Sequence, residues 1–222
     1  MSEDADHRRD RKRRSDGDRS RNAILREAAR LATIEGIGGI SIARLADAVG
    51  MSKSGLFAHF GSKQELQLAT IETAETLFDE LVIKPALAAP TGLERTQQLA
   101  ELFLRHVEAS TYPGGCFFAS VAAELDTQPG PVRDSAIAFE ARWLALIEND
   151  VRVAQAEGTI DQAEDAEQLA FELNAYLLMA NFLFVVNQEP TPINRARQAL
   201  ARRLAAAAPA TSEAPASLAP PP

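Results

Sequence analysis

The sequence is poor in cysteine, tryptophan and β-branched residues. Its single cysteine, Cys116, cannot form an internal disulfide, so a disulfide-stapled scaffold is excluded. Val and Ile together number 20, whereas Ala numbers 41 and Leu 24, and this balance favours helices and excludes an all-β fold. No apolar run of signal-peptide type follows the charged first residues. We therefore expect a helical protein with reduced cysteine, located in the cytoplasm.

Sequence motifs for catalysis, metal binding and nucleotide binding are missing as well. The three histidines, His7, His59 and His106, lie far apart, and no H-x-x-x-H or C-x-x-C spacing occurs. No G-x-S-x-G, S-x-x-K or G-x-x-x-x-G-K-[ST] pattern is present, and the glycines at 36–39 follow a predicted helix rather than a strand. The sequence thus predicts no enzyme, no metal site and no cofactor.

The net charge of −8 is distributed unevenly along the 222 residues. Residues 1–63 contain 13 Lys and Arg against 9 Asp and Glu, and residues 64–222 contain 10 against 22. The first part is therefore positive and the second strongly negative. Since acidic surfaces repel nucleic acid, any contact with DNA is expected in the first part only.

Both ends of the chain lack the apolar residues of a packed core. Residues 1–19, rich in Arg and Asp, predict a disordered arm, and residues 209–222, rich in Ala and Pro, predict a disordered tail. Between them, helical periodicity and end signals predict about nine helices. Helices 1 to 3 are assigned to an amino-terminal domain at 20–66, and the rest to a larger helical domain at 67–208.

Several signals fix the ends of these helices. Ser20 is the predicted cap of helix 1. Helix 4 opens with a capping box at 62–65 and ends at Pro85. A second capping box opens helix 5 at 91–94.

Helix 8, roughly residues 165–187, is apolar nearly all round. Its run from 175 to 186 has 12 residues, interrupted only by Asn181, whereas a membrane span needs about 20. Burial in protein is therefore favoured over a membrane. A small domain cannot cover all faces of such a helix, so we predict a homodimer through helices 8 and 9.

Residues 41–60 have the spacing of a helix-turn-helix. Ala46 stands where the two helices cross, Gly50 where the turn needs a left-handed backbone, and Leu56 faces back from the second helix. Other apolar residues flank these three in the phase that the motif requires. The spacing therefore predicts a DNA-binding motif.

Residues 21–69 resemble the DNA-binding region of the tetracycline-repressor (TetR) family of bacterial transcriptional regulators. The matching stretch includes E-G-I-G-G-I-S-I-A-R-L-A-D-A-V-G-M-S-K-S-G-L-F-A-H-F-G-S-K-Q-E-L. The resemblance implies an all-α protein in which helix 4 joins a three-helix DNA-binding domain to a ligand-binding and dimerisation domain. Two positions depart from the family: Phe57 replaces the usual Tyr, and Ala58 replaces a larger side chain, which removes hydroxyls that contact phosphate.

The predicted DNA contacts cluster around the second helix of the motif, whose first turn faces the major groove. They are Ser41, Arg44, Ser52, Lys53, Ser54, Gly55, Phe57, His59 and Lys63. Lys53 suits either a guanine or a phosphate, and His59 either the DNA backbone or the junction between helices 3 and 4. Arg44 matches a family position near phosphate or is a solvated side chain.

The family resemblance also implies a ligand pocket among helices 4 to 8. The candidate lining residues are Phe103, His106, Phe117, Phe118, Glu140, Trp143, Tyr176, Met179 and Phe182. For each of them, ordinary core packing is the competing interpretation. Cys116 is either a redox sensor or a small buried residue. The aromatic character of the set predicts an apolar or aromatic small-molecule effector.

We therefore predict a sequence-specific regulator that binds a double-stranded palindromic operator as a dimer and is released by a ligand. The alternative is a helical ligand-binding or interaction protein that no effector releases from DNA. A module without DNA binding would leave the helix-turn-helix spacing and the basic first part unexplained.

Overall fold

The computed structural model describes the backbone of residues 2–210 and the side chains of residue 17 and residues 19–210. These described residues form nine helices and no strand. The helices are α1 (Ser2–Glu35), α2 (Ile42–Ala48), α3 (Lys53–Phe60), α4 (Lys63–Phe78, extended by a π-helical turn and a last α-helical turn), α5 (Gly92–Glu108), α6 (Phe117–Leu125), α7 (Pro131–Ala156), α8 (Ala166–Asn187) and α9 (Thr191–Ala206). The predicted all-α class is confirmed.

Helix α1 begins much earlier than predicted. Its backbone is helical from Ser2, which corrects both the disordered arm over residues 1–19 and the helix start at Ser20. That prediction counted apolar side chains alone. The segment 2–19 contains no proline that would break a helix, and its Arg, Lys, Glu and Ala residues, half of the segment, are good helix formers. In the predicted tail, residues 209–210 are not helical and residues 211–222 lie outside the described residues.

The end of α1, with α2 and α3, forms a small unit that we call the head. Ile24 and Ala28 of α1 pack with Leu45 of α2 and Leu56 of α3, and all four are fully buried. Ala46 is also fully buried, as expected where two helices cross closely. The head therefore has a compact core of small aliphatic side chains.

Helix α4 leaves the head through a side-chain cap. The hydroxyl oxygen of Ser62 accepts a hydrogen bond from the backbone N–H of Glu65 at 3.1 Å. The backbone N–H of Ser62 donates to the carbonyl of Phe60, not to the Glu65 carboxylate. The predicted capping box is thus half formed.

Near its far end, α4 widens into a π-helical turn at Asp79–Ile83. There the Lys84 N–H donates to the carbonyl of Asp79, five residues back. The helix then continues through Pro85 to Leu87, which corrects the predicted end at Pro85. The π-turn makes this possible because it interrupts the i to i−4 pairing in which proline cannot take part. The buried residues along this stretch are Ala74, Phe78, Val82 and Ala86.

Helices α5 to α9 form the larger unit, which we call the body. The predicted capping box at Thr91 and Glu94 is present in full and opens α5. Gly92 brings α5 against α7 so closely that an added Cβ would lie 2.4 Å from the backbone nitrogen of Ala154. The Gly92 N–H donates to the Glu157 carboxylate at 2.8 Å.

Helix α8 packs against α5, α7 and α9. By length and composition it would also suit a membrane span. On its outer side, four large apolar side chains are each more than half exposed in the single chain: Phe171, Met179, Phe182 and Val186. We call this set the α8 stripe. The expectation that helix 8 is buried on all faces is therefore not met within one chain.

Candidate DNA-binding interface and ligand pocket

The turn between α2 and α3 has the geometry of a helix-turn-helix. Gly50 has φ +67°, the left-handed conformation that favours glycine. The next residue, Met51, closes the turn by donating its N–H to the carbonyl of Ala46 at 2.9 Å. Buried Ala46 and Leu56 hold the two helices together. These positions are the ones that the sequence spacing predicted.

Hydroxyl caps define the starts of both helices. Ser41 Oγ accepts from the backbone N–H of Arg44, and Ser52 Oγ accepts from that of Gly55, each at 3.1 Å. A Cβ on residue 55 would lie 3.1 Å from Ser52 Oγ, so glycine keeps room for this cap. The first turn of α3 is thereby fixed in place.

The outer face of α3 is exposed. Lys53 and Ser54 both point into solvent, and Ser54 Oγ lies 3.3 Å from Ser52 Oγ. One turn later, Phe57 is about half exposed and Ala58 is exposed. The structure thus groups Ser52, Lys53, Ser54, Gly55 and Phe57 on one small surface.

Two cations flank this surface and already have partners within the head. The Arg44 guanidinium pairs with the Glu35 carboxylate at 2.5 Å. Lys63 Nζ donates to the carbonyl of Gly38 at 2.6 Å. Both side chains remain exposed, so these contacts position the charges without removing them from solvent.

His59 lies at the junction of α3 and α4 and is partly buried beside Phe60. Its carbonyl accepts a hydrogen bond from Arg21 Nη1 at 2.9 Å, and the Arg21 guanidinium lies 4.5 Å from the centre of the Phe60 ring. Sequence reasoning did not select Arg21. The sequence shows only that Arg21 is a basic residue near the start of the predicted helix 1. Its cation–π contact with Phe60 depends on how the helices pack, so it could not be predicted from the sequence.

A carboxylate from the body holds the loop that precedes α2. Glu124 of α6 accepts hydrogen bonds from the backbone N–H groups of Ile37 at 2.6 Å and Gly38 at 2.8 Å. At Gly36, with φ +80°, an added Cβ would lie 2.7 Å from the Glu124 carboxyl carbon. We call this contact the Glu124 clamp. It links α6 to the same loop whose Gly38 carbonyl holds Lys63.

A second close contact joins the units nearby. An added Cβ on Gly114 would lie 1.9 Å from the carbonyl oxygen of Thr33 in α1, and the Gly114 N–H donates to Thr33 Oγ1 at 3.2 Å. Glycine at 114 is therefore required for the head to sit against the body.

Most of the predicted pocket residues form a buried aromatic cluster. The rings of Phe118 and Phe139 stack with centroids 3.4 Å apart, and Phe78 meets Trp143 edge-on at 5.3 Å. The members from the predicted set are Phe103, His106, Phe117, Phe118 and Trp143, all buried. Trp143 Nε1 donates to Asn174 Oδ1 at 3.0 Å. These five residues pack in the core, and Trp143 also lines a cavity of about 620 Å³ between α4 and α7, so the ligand role of the set remains a prediction.

His106 is buried within this cluster, and its Nδ1 has no hydrogen-bond partner among the described residues. Its ring meets Phe78 edge-on at 5.5 Å. Burial disfavours the charged imidazolium and lowers the pKa of His106 from 6.5 to about 4. The side chain is therefore neutral at physiological pH.

An apolar cavity of about 840 Å³ lies instead between α6, α7 and α8. Of the predicted set, Glu140 and Phe182 line it, whereas Tyr176 and Met179 lie elsewhere on α8. Burial raises the pKa of the Glu140 carboxyl. Sequence reasoning missed the small residues of α6, such as Ala119 and Ala123, because alanine carries no chemical signal for a pocket.

Cys116 is buried at the start of α6, where its backbone N–H donates to Asn181 Oδ1 at 2.7 Å. Burial raises the pKa of the thiol to about 12, and a buried thiol without thiolate character reacts slowly. The structure thus favours the small buried residue over the redox sensor. Within the described part of the chain, no group of His, Cys, Asp and Glu has a geometry that could hold a metal ion.

Two protein families match the chain. The family described as "Bacterial regulatory proteins, tetR family" matches residues 24–70. The family described as "Tetracyclin repressor-like, C-terminal domain" matches residues 92–200. These ranges contain the helix-turn-helix and most of the body. No curated protein sequence matches the chain.

Solved structures share the fold along most of its length. A TetR transcriptional regulator from Chloroflexus aurantiacus J-10-FL has a TM-score of 0.80 at 26% identity, over 86% of this chain and 96% of that chain. A TetR-family regulator from Cytophaga hutchinsonii has 0.76 at 18%, over 87% and 96%. AibR, solved with isovaleryl coenzyme A and operator DNA, has 0.65 at 22%, over 82% and 95%. The last two likenesses concern the fold alone.

Proposed function

The chain belongs to the TetR family of bacterial transcriptional regulators, and on this premise we propose that it is a repressor whose homodimer binds a palindromic operator until a small molecule releases it. Regulators of this family combine a helix-turn-helix DNA-binding domain with a ligand-binding domain, and they are in general non-enzymatic. The chain's place of action is the cytoplasm, where the operator is accessible.

The exposed first turn of α3 is the observation that carries the proposal. The Ser52 cap fixes this turn on a helix-turn-helix frame and leaves Lys53 and Ser54 facing solvent. In such motifs the first turn of the second helix enters the major groove, where base edges specify sequence. Lys53 is the proposed base-reading side chain.

Phosphate contacts are assigned to the charges that flank this turn. Arg44 and Lys63 are exposed and held by partners in the head, so little side-chain ordering is required when DNA binds. His59 contributes near the DNA backbone at the end of α3. Because Phe57 lacks a hydroxyl, these three residues carry the phosphate contacts that a tyrosine would share.

Dimerisation is assigned to α8 and α9. The α8 stripe exposes four large apolar side chains in one row, and such a patch is costly to leave in water. In a dimer with a two-fold axis beside α8, the stripe of one protomer would pack against the stripe of its partner. The two α3 helices would then face DNA half-sites about 34 Å apart.

The effector site is assigned to the cavity between α6, α7 and α8. Its α8 wall includes Phe171, Phe182 and Val186 of the α8 stripe, so in the proposed dimer the partner copy closes the opening of this cavity. Its apolar lining suits a largely apolar small molecule. Helix α6 borders this cavity and also supplies the Glu124 clamp, so a ligand that displaces α6 acts directly on the loop before α2. AibR, a structural neighbour, was solved with an acyl-coenzyme A together with operator DNA.

Fluorescence anisotropy with DNA from around the coding region tests the DNA part of this proposal. At moderate salt we expect a sequence-selective complex, and Lys53→Ala should reduce the preference for operator over scrambled DNA. Loss of one good base contact corresponds to about 1–3 kcal/mol. Lys84→Ala, which removes an exposed lysine of α4 at the far end from the head, is the matched control. A wild-type protein that binds operator and scrambled DNA equally would refute the proposal.

Light scattering at micromolar concentration tests the dimer. We expect a dimer for the wild type and a monomer for Met179→Asp, because the introduced charge would be buried at the interface. Leu87→Asp, at another exposed apolar side chain, should remain dimeric. A monomeric wild type would favour the alternative of a helical ligand-binding protein that no effector releases from DNA.

A further inference from the structure

The cavity between α6, α7 and α8 has one charged group in its lining. Most of the side chains around its 840 Å³ are Ala, Leu, Val and Phe, and Glu140 of α7 is the charged exception. Glu140 forms no hydrogen bond or ion pair with the described residues. Glu140 is partly buried, and its carboxylate lies against an otherwise apolar lining without a counter-charge, so a cation placed beside it forms an ion pair that water screens only in part.

The elements around the cavity supply no such cation. Helices α6 and α8 contain no Lys, Arg or His. On α7, Arg133 donates to the carbonyl of Asp126 and pairs with Asp134. Arg142 pairs with Glu75 of α4, and Arg152 pairs with Glu148 on the surface. The carboxylate of Glu140 is thus left for a group from outside the chain.

Two asparagines add directed donors to the same cavity. Asn174 Oδ1 accepts from Trp143 Nε1 at 3.0 Å, and Asn181 Oδ1 accepts from the Cys116 N–H at 2.7 Å. These bonds fix both side-chain amides with their oxygens turned to the protein. Their Nδ2 groups donate to no acceptor among the described residues, and both residues line the cavity.

Resting on the effector site proposed above, we propose that this cavity binds an apolar molecule that carries a protonated amine, with the amine at Glu140. Hydrogen-bond acceptors elsewhere on the molecule meet the amides of Asn174 and Asn181. An anionic ligand is disfavoured because it would bring like charge to a partly buried carboxylate with no neighbouring cation.

A second copy of the chain is a poorer occupant of the cavity. The α8 stripe that borders the opening contains apolar side chains only. A copy docked by this stripe would cover the opening with apolar side chains, and the stripe itself brings no positive charge to Glu140. Charge complementarity therefore favours the small cation over the side chains of the stripe.

Three fluorescent probes with one aromatic body test the proposal: 1-pyrenemethylamine, 1-pyrenemethanol and 1-pyreneacetate. In titrations of the full chain at neutral pH, we expect the amine to bind at least about tenfold more tightly than the acetate, which corresponds to about 1.4 kcal/mol. Glu140→Gln should weaken amine binding by about tenfold and leave the alcohol within about twofold. Retained binding of the alcohol shows that the variant still forms the cavity.

Glu148→Gln is the control on the same helix, since Glu148 lies on the surface with Arg152; all three probes should bind it as they bind the wild type. Equal binding of acetate and amine, or an unchanged ratio in Glu140→Gln, would overturn the proposal. So would a wild type that binds operator but none of the probes. If the amine binds with the expected preference and leaves the operator complex intact, the charge preference stands and ligand-released repression fails.

Discussion

The head and the body differ in their interior polar groups, although both carry ion pairs at the surface, such as Arg203 with Glu164 in the body. In the head, Arg44 pairs with Glu35, and Lys63 donates to a backbone carbonyl, so exposed cations are held in place. In the body, His106 Nδ1 is buried without a hydrogen-bond partner, and Glu140 faces an apolar cavity without a counter-charge.

This difference affects how polar groups contribute to the folding stability of each unit. Exposed ion pairs add at most about 1 kcal/mol, so the head gains mainly order in its charges. Each unsatisfied buried polar group costs about 1–3 kcal/mol, so the body must offset such groups with dense aromatic packing. Substitutions in the head should therefore change DNA binding more than stability, and substitutions in the body should do the reverse.

The largest effect is expected from Trp143→Ala in the aromatic cluster. Removing a buried Trp costs about 3–5 kcal/mol in the free energy of unfolding. The matched variant in the head, Phe57→Ala, removes a half-exposed ring and should cost less than about 1 kcal/mol. Urea unfolding followed by circular dichroism measures both. Equal losses for the two variants would break the comparison.

The pH dependence of stability should also belong to the body. Because burial lowers the pKa of His106 to about 4 from an ordinary 6.5, protonation favours the unfolded chain. The stability from neutral His106 is complete above pH 6.5 and is lost as the pH falls towards 4, by about 3 kcal/mol. His106→Gln should lose correspondingly less between these pH values. Parallel pH profiles for the variant and the wild type would contradict the assignment to His106.

An intermediate effect is expected at the junction of the two units. In Glu124→Gln, the side-chain NH2 group replaces one of the two accepting oxygens and faces a backbone N–H of the loop. Two donors then oppose each other, which should lower the local stability by about 1–3 kcal/mol. Hydrogen exchange at Ile37 and Gly38 should accelerate, and operator affinity should fall. Glu157→Gln is the control because Glu157 accepts a similar backbone bond from Gly92 within the body. If it weakens DNA binding equally, the Glu124 clamp has no special link to the head.

The smallest effect is expected from Lys63→Ala. Loss of one phosphate contact should flatten the dependence of log K on log salt by about one unit and weaken binding to all sequences alike. Lys84→Ala should leave the slope unchanged. If the salt dependence is unchanged in Lys63→Ala, this side chain binds the Gly38 carbonyl and does not contact phosphate.

Sequence reasoning located the helix-turn-helix well because its determinants are local. Ala46, Gly50 and Leu56 each satisfy a short-range requirement of crossing or turning, and the structure places all three accordingly. The same reasoning placed the start of α1 too late, since it scored apolar content and not propensity.

The pocket was beyond such reasoning for a different reason. Aromatic residues such as Trp143 and Phe118 suit a core and a ligand site equally, and only the packing of α4, α5 and α7 decides between them. The apolar cavity of about 840 Å³ is bounded by small residues of α6. A cavity forms where small side chains from several helices meet, and the order of residues in the sequence does not show where this happens.

The π-helical turn in α4 determines which side of the helix its later residues face. Ala74, Phe78, Val82 and Ala86 are all buried and are spaced by four residues. In a regular α-helix, each step of four overshoots a full rotation by about 40°, so three steps would drift by about 120° and carry the last residue off the buried side. The wider turn at Asp79–Ile83 rotates the chain less per residue and cancels part of this drift. Because a π-helical turn accommodates one extra residue, deleting one residue there would restore regular winding and leave Ala86 on the buried side facing α5.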